Sequence, residues 1–249
     1  MALKICSIAS GSKGNCIYVG SERTELLLDF GVSCKRVKDA MDGIGASPKA
    51  IFLTHTHTDH FRCVPNAIKK GALLKYPLLL KSGINNVEGE PFQGDVYYGD
   101  ITVSPFPVSH DVPCYGYSFY SEGSKISVVT DLGIMPQSTL DGISDSDVVL
   151  IESNYDKEML RLNPDYSPAL KARIDGRRGH LSNDDCAECV AKLVGRGVRN
   201  IILGHLSENN NTPEIALART ENELRKYNLS GKAKITVATQ HERTEVIEV

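Results

Sequence analysis

Three histidines and an aspartate fall within six consecutive positions: His55, His57, Asp59 and His60, in the run Thr54-His55-Thr56-His57-Thr58-Asp59-His60. Imidazole and carboxylate are the donors that suit Zn²⁺ and its neighbours, and crowding them into one loop serves no packing purpose. His55 and His57 are two residues apart, so at the end of an extended strand both project to the same side and can share one cation. Asp59 and His60 lie past the bend and point to a second position. Two cations about 3.5–4 Å apart can bridge a hydroxide and clamp both the attacking and the leaving oxygen of a displacement. The cluster therefore predicts a pair of ions and a metal-dependent hydrolase.

A pair of ions needs more donors than one loop supplies. His110 follows the run Ile101 to Val108, Asp131 follows Lys125 to Thr130, and His205 follows Asn200 to Leu203. Each is a metal-ligand type placed where a predicted strand opens into a loop. Any one alone reads equally well as a satisfied polar residue, but together they complete a set of seven.

The elements that must carry these residues are legible in the hydrophobic pattern. Strands are predicted at Leu3 to Ala9, Cys16 to Val19, Glu25 to Phe30 and Ala50 to Thr54, the last running straight into the histidine cluster. A short helix follows Ser33, and helical spacing from Phe61 to Lys70 stops at Gly71. Further strands are predicted at Pro77 to Lys81, Val96 to Tyr98, Ile101 to Val108, Tyr115 to Tyr120 and Lys125 to Thr130. From Pro136 onward helices alternate with strands: Val148 to Ile151, a helix from Asn183 to Val194, Asn200 to Leu203, a helix from Pro213 to Tyr227, then Lys234 to Ala238 and Glu245 to Glu248. This order predicts two sheets with helices outside, a four-layer αββα sandwich in one domain spanning residues 1–249. No repeat of fixed period, linker-like stretch or low-complexity tract interrupts it.

Bulk properties narrow the classes. A net charge of −3 gives no global attraction to nucleic acid or membrane, so a polyanionic substrate must be drawn by a local patch and by the metals. No apolar run approaches the roughly 20 residues of a membrane span, and none near Met1 has the length of a secretory h-region. Seven cysteines, an odd number scattered from Cys6 to Cys189, suit reduced thiols. A soluble, cytoplasmic protein is expected. Cys186 and Cys189 form a lone C-x-x-C on a predicted helix, which suits core packing rather than zinc or redox duty.

The H-x-H-x-D-H run, followed in order by Ser109-His110, Thr130-Asp131-Leu132-Gly133 and Leu203-Gly204-His205, resembles the metallo-β-lactamase-fold superfamily across essentially the whole chain. That resemblance implies one metal on His55, His57 and His110, a second on Asp59, His60 and His205, and Asp131 bridging both. It also places Asp29, in Leu26-Leu27-Leu28-Asp29-Phe30-Gly31, behind the ligands as an orienting carboxylate. Asp131 stands where the antibiotic-hydrolysing members with a cysteine ligand carry a thiolate, so the fold's name does not set the substrate.

Glu152, in Ile151-Glu152-Ser153-Asn154-Tyr155, and His180, in Gly179-His180-Leu181-Ser182-Asn183, resemble the Glu and His loops of the superfamily's nucleases. The resemblance implies that Glu152 holds His180, which protonates the departing oxygen or binds the scissile phosphate; Asp59 is in turn expected to accept a proton as well as ligate. His180 also precedes a helix N-cap at Ser182, a purely structural role. Lys171, Arg173, Arg177 and Arg178 lie just ahead of His180, either as a solvated face or as an electrostatic funnel. Ser10-Gly11-Ser12-Lys13-Gly14-Asn15 reads either as a plain turn or as a loop whose backbone N–H groups approach a phosphate.

Together with Gly204-His205-Leu206-Ser207-Glu208-Asn209-Asn210, these runs look like the small bacterial WalJ-like branch, whose members resemble DNA exonucleases. Only 73 residues separate Asp131 from His205, too few for the cap domain of the β-CASP nucleases, and 20 residues between His110 and Asp131 leave no room for a tRNA-gripping arm. The expectation is a dinuclear phosphodiesterase acting on nucleic acid, DNA before RNA, with Zn²⁺ the first choice of metal and Mn²⁺ or Fe²⁺ compatible. Two alternatives remain open. One is a hydrolase of a small cyclic phosphodiester or thioester, and the other is a non-catalytic metal-containing DNA-binding protein.

Overall fold

Alternation of side chains along the strands decides the architecture. In a computed structural model that describes residues 3–65, 78–81, 84 and 89–249, the chain runs β1 (Lys4–Ala9), β2 (Cys16–Gly20), β3 (Glu25–Leu28), α1 (Cys34–Ile44), β4 (Ala50–Leu53), α2 (Thr58–Phe61), β5 (Leu78–Lys81), β6 (Glu90–Phe92) and β7 (Val96–Tyr98). It continues β8 (Ile101–Pro107), β9 (Tyr115–Ser121), β10 (Ser124–Val129), α3 (Gln137–Ile143), β11 (Val148–Glu152), α4 (Lys157–Leu162), α5 (Pro168–Ile174), α6 (Asn183–Arg196), β12 (Asn200–Gly204), α7 (Pro213–Lys226), β13 (Lys234–Val237) and β14 (Ile247–Glu248). Ile17 and Val19 of β2, Leu26 and Leu28 of β3, Phe52 of β4, Val148 and Leu150 of β11 and Ile202 of β12 all enter one buried cluster. Their sequence neighbours point the other way. Tyr18, Leu27 and Ile51 meet Val37 and Met41 of α1, whereas Val149, Ile151, Ile201 and Leu203 meet α3, α6 and α7. A strand with apolar residues on both faces must be covered on both, and the outcome is helix, sheet, sheet, helix, the four-layer αββα sandwich expected of the sequence.

One sheet has the order β14-β1-β2-β3-β4-β5-β6 and the other β13-β12-β11-β10-β9-β8-β7. β3, β4 and β5 run parallel, as do β10 to β13, and β8 is antiparallel to β9, which is antiparallel to β10. The carboxyl ends of β3 and β4 therefore open on the same edge of their sheet, as do those of β8, β10, β11 and β12 on theirs.

Several boundaries differ from expectation for local reasons. β3 stops at Leu28 and β10 at Val129 because Asp29 and Asp131, just beyond, take left-handed φ of 63° and 59° that no ladder accepts. The helices α3, α4 and α5, of 7, 6 and 7 residues, are too short to show a periodic stripe. Their caps are the readable signals: Asp156 accepts from the N–H groups of Glu158 and Met159, and Ser167 caps the turn that Pro168 begins. β6, a three-residue edge strand with a central proline, was likewise not anticipated. The turn of helix at Thr58–Phe61 starts ahead of the expected Phe61 to Lys70 helix, and residues 66–77, which hold most of that helix, its Gly71 stop and the first residue of the Pro77 to Lys81 strand, lie outside the described residues. Cys186 and Cys189 pack into the core under α6, as expected. Among the described residues no helix is long and apolar enough to cross a membrane.

Candidate metal centre

All seven sequence-predicted ligands converge at that common edge. Donor atoms of His55, His57 and His110 lie within 4.8 Å of one another, as do those of Asp59, His60 and His205, and Asp131 forms such groups with His55 and His60 and with Glu152, His180 and His205. Asp59 Oδ2 is 3.3 Å from Nε2 of both His60 and His205, and Asp131 reaches His60 Nε2 at 3.2 Å and His205 Nε2 at 3.6 Å.

Acceptors behind the rings fix which nitrogen faces inward. Carboxylate and carbonyl oxygens only accept, so the outward ring nitrogen touching one carries a proton, and the inward nitrogen is the one left to face a metal, which competes with any second proton there. His60 Nδ1 donates to Asp29 Oδ2 at 2.7 Å, His205 Nδ1 to Glu152 Oε1 at 2.7 Å, and His110 Nδ1 to the Gly179 carbonyl at 3.2 Å. Thr54 Oγ1, which donates to Asp29, accepts from His55 Nδ1 at 3.0 Å. Asp29 thus has the orienting place that the resemblance implied. His57 is reversed: its Nε2 faces Asp111 Oδ1 at 3.2 Å and its Nδ1 faces His110 Nε2 at 3.2 Å.

These residues fit a pair of divalent cations. Among the described residues His55 Nε2 and Asp131 Oδ2 are buried without a hydrogen-bond partner, although His60 Nε2 lies near the latter. An unmet buried polar atom costs about 1–3 kcal/mol, which coordination removes. Electrostatics agree. Burial alone would raise the Asp59 and Asp131 carboxyls, yet the surrounding imidazoles, His205 and His60 foremost, hold both far below the usual range. Burial opposes charge on His205, but Asp131, Asp59 and Glu152 raise it to about 10. Burial and the neighbouring His60 push His55 well down. The ionised carboxylates call for positive charge, which bound cations supply.

Glu152 sits at the junction of two roles. Its Oε1 accepts from His180 Nδ1 at 2.8 Å as well as from His205 Nδ1, and its Oε2 accepts from the backbone N–H groups of Leu132 and Leu181 at 3.0 and 3.1 Å. Burial works against its ionisation, but the two histidines bring its pKa down to about 2. His180 is a quarter exposed, with a ring 5.5 Å from that of His110 and 5.3 Å from that of His205, and among the described residues its Nε2 makes no hydrogen bond. Ser182 also caps α6 as expected, so the loop serves both purposes.

The basic run is mostly committed. Lys171 Nζ donates to the Arg161 carbonyl, Arg178 Nε to the His110 carbonyl, and Arg173 pairs with Asp111. Among the described residues only Arg177 of the four keeps its guanidinium unpaired, on a backbone pinned by the Ser109 hydroxyl, which donates to the Arg177 carbonyl at 2.8 Å. Only Arg173 meets a carboxylate there, while Lys171 and Arg178, bonded to neutral carbonyls, keep their charge.

Sequence reasoning missed two participants. Asn15 donates through Nδ2 to Asp59 Oδ2 at 3.2 Å, and its N–H donates to the Asp59 carbonyl at 2.7 Å, so the Ser10 to Asn15 loop is a brace for the ligand loop. Asp111 is the other, and its only sequence signal is that it follows His110. Backbone strain collects here as well: Asp29, Asp131 and His205 are three of five described non-glycine residues with positive φ, a conformation costing about 1–3 kcal/mol each. His205 is held by its N–H donating to Ser10 Oγ at 2.7 Å and its carbonyl accepting from Asn154 Nδ2 at 2.6 Å.

Gly31 gives a direct test of this packing. A Cβ there would fall 1.6 Å from the Asp59 carbonyl oxygen, which is backbone and cannot rotate away. Gly31→Ala is expected to lower stability by about 3 kcal/mol or to displace the ligand loop. The fall in melting temperature and the loss of bound metal measure it.

Residues 36–206 match the family model described as the beta-lactamase superfamily domain. The chain is 32% identical over 247 residues to exodeoxyribonuclease WalJ of Streptococcus pneumoniae, covering 92% of this chain and 91% of that one. It is 34% identical over 232 residues to exodeoxyribonuclease YycJ of Bacillus anthracis, covering 87% of each. The fold is that of the metallo-beta-lactamase fold protein YhfI of Bacillus subtilis, with a TM-score of 0.72 over 100% of both chains at 13% identity. With its model match, its relatives and its ordered histidine and aspartate motifs in agreement, the chain belongs to the beta-lactamase superfamily and carries the metallo-β-lactamase fold.

Proposed function

We propose that this metal-dependent hydrolase is a cytoplasmic, dinuclear DNA exonuclease. The observation that carries the proposal is the sharing of Asp131 between neighbouring donor groups. One metal would rest on His55, His57 and His110, the other on Asp59, His60 and His205, with Asp131 between them. When bound, such a pair neutralises phosphate charge and activates water for attack on phosphorus. Asp59, aligned by Asn15, is positioned to accept the water's proton. His180, oriented through Nδ1 by Glu152, presents Nε2 to the departing oxygen of the nucleotide and delivers a proton to it. Mixed imidazole and carboxylate donors suit Zn²⁺ first and admit Mn²⁺ or Fe²⁺. Seven free cysteines agree with a reducing compartment, and the exonuclease names of relatives covering most of the chain favour DNA.

Incubating the purified protein with end-labelled single- and double-stranded DNA and RNA, and with bis(p-nitrophenyl) phosphate, tests this reading. Stepwise release of nucleotides from DNA with Zn²⁺ or Mn²⁺ is expected. Turnover of the small diester with DNA left intact would redirect the site to a small substrate, and no turnover of either would leave metal binding without catalysis.

Arg177, whose guanidinium is unpaired among the described residues, should contact a phosphate of the bound strand. Arg177→Gln is expected to raise KM for DNA about tenfold. It should also flatten the slope of log KM against log salt by about one. Hydrolysis of bis(p-nitrophenyl) phosphate should be unchanged.

A further inference from the structure

Asp111 divides its carboxylate between two elements. Oδ1 lies 3.2 Å from His57 Nε2, and Oδ2 accepts from Arg173 of α5, from Nε at 3.1 Å and Nη2 at 2.5 Å. Oδ1 also lies 3.4 Å from His110 Nε2. That nitrogen is bare because His110 donates through Nδ1 to Gly179, which leaves His57 as the one imidazole donor to Asp111.

His57 needs such a partner more than the other histidines do. Of the five candidate ligand histidines it alone turns Nδ1 inward, and its side chain is 30% exposed where those of His60, His110 and His205 are 1–3%. Packing holds the other rings, while a half-open ring flips freely unless an acceptor fixes it. Among the described residues Asp111 is the only acceptor on the outward side of His57.

We propose that Asp111 is the positioning residue of the His55–His57–His110 subsite, locking His57 with Nδ1 inward, and that Arg173 holds Asp111 in that pose. The inference rests on the two-cation reading of the site. Arg173 belongs to the helical excursion between β11 and α6, so the same ion pair ties that excursion to the metal subsite. An outer carboxylate on a ligand histidine fixes the tautomer and strengthens the donor, an effect of about 10–100-fold in metal affinity.

Zn²⁺ stoichiometry and affinity by chelator competition on the full chain, for wild type, Asp111→Ala, Asp111→Asn and Arg173→Gln, decide it. Wild type should bind two equivalents. Asp111→Ala should weaken one of them by about 10–100-fold and leave the other unchanged. Asp111→Asn, whose Oδ1 still accepts, should recover most of the loss, and Arg173→Gln should fall between. ¹⁵N chemical shifts of the metal-free His57 ring should show a proton on Nε2 in wild type and a mixture of tautomers in Asp111→Ala. Melting temperatures in excess chelator should agree among the four proteins. A parallel drop in metal-free stability, or Arg173→Gln matching Asp111→Ala, would assign Asp111 to anchoring α5 and overturn the inference. So would undiminished affinity of Asp111→Ala for both equivalents. Fewer than two equivalents in wild type would instead remove the two-cation reading on which the inference stands.

Discussion

Asp131→Asn is expected to reduce bound metal from two equivalents to one or fewer and phosphodiester hydrolysis by roughly 10³–10⁵-fold, the several kcal/mol a cation pair contributes at tenfold per 1.36 kcal/mol. Asparagine is the informative replacement. Asp131 sits at φ 59°, and asparagine tolerates that conformation where alanine adds strain. The change therefore removes one anionic oxygen from between the two donor groups with little disturbance of the turn after β10. Elemental analysis of the dialysed variant beside a hydrolysis assay reads both effects. Two retained equivalents would show that Asp131 does not join the subsites.

His180→Ala is expected to keep both equivalents and lose about 10²–10⁴-fold in kcat, the usual contribution of a positioned proton donor. Glu152 explains why the metals survive. With His180 gone, Oε1 still accepts from His205 Nδ1 and Oε2 from the Leu132 and Leu181 N–H groups, so the candidate ligand His205 keeps its orientation. KM should move far less than kcat, because His180 acts on the leaving oxygen rather than on the strand. Pre-bound metal counted by elemental analysis, with kcat and KM on DNA, separates the two roles. Loss of metal in His180→Ala would make this residue part of the scaffold, whereas unchanged kcat would remove it from the proton transfer.

The residues most legible in the sequence were those whose types have few other uses. Four of the seven candidate ligands sit in one loop, and imidazoles crowded at that density fill no core. His110, Asp131 and His205 could be placed because each follows an apolar strand, and continuous apolar runs buried on both faces at β2, β3, β4, β11 and β12 give the two-faced sheets their signature. Asp111 and Asn15 were not legible. Short polar residues are common on loops, and only the third dimension shows that one faces His57 and the other Asp59. The pairing of the basic run was not legible for a related reason. Charge is written in the sequence but its pairing is not, and Asp111, the His110 carbonyl and the Arg161 carbonyl occupy three of the four cations. The short helices α3, α4 and α5 escaped because two turns carry too few apolar positions to set a period.

Crystals grown with Zn²⁺ and measured at the zinc absorption edge test the central claim most directly. Two anomalous peaks about 3.5–4 Å apart are predicted. One should lie roughly 2.0–2.2 Å from donors of His55, His57 and His110, the other from donors of Asp59, His60 and His205, with Asp131 touching both. A single peak, or a pair bound by other residues, would contradict the account.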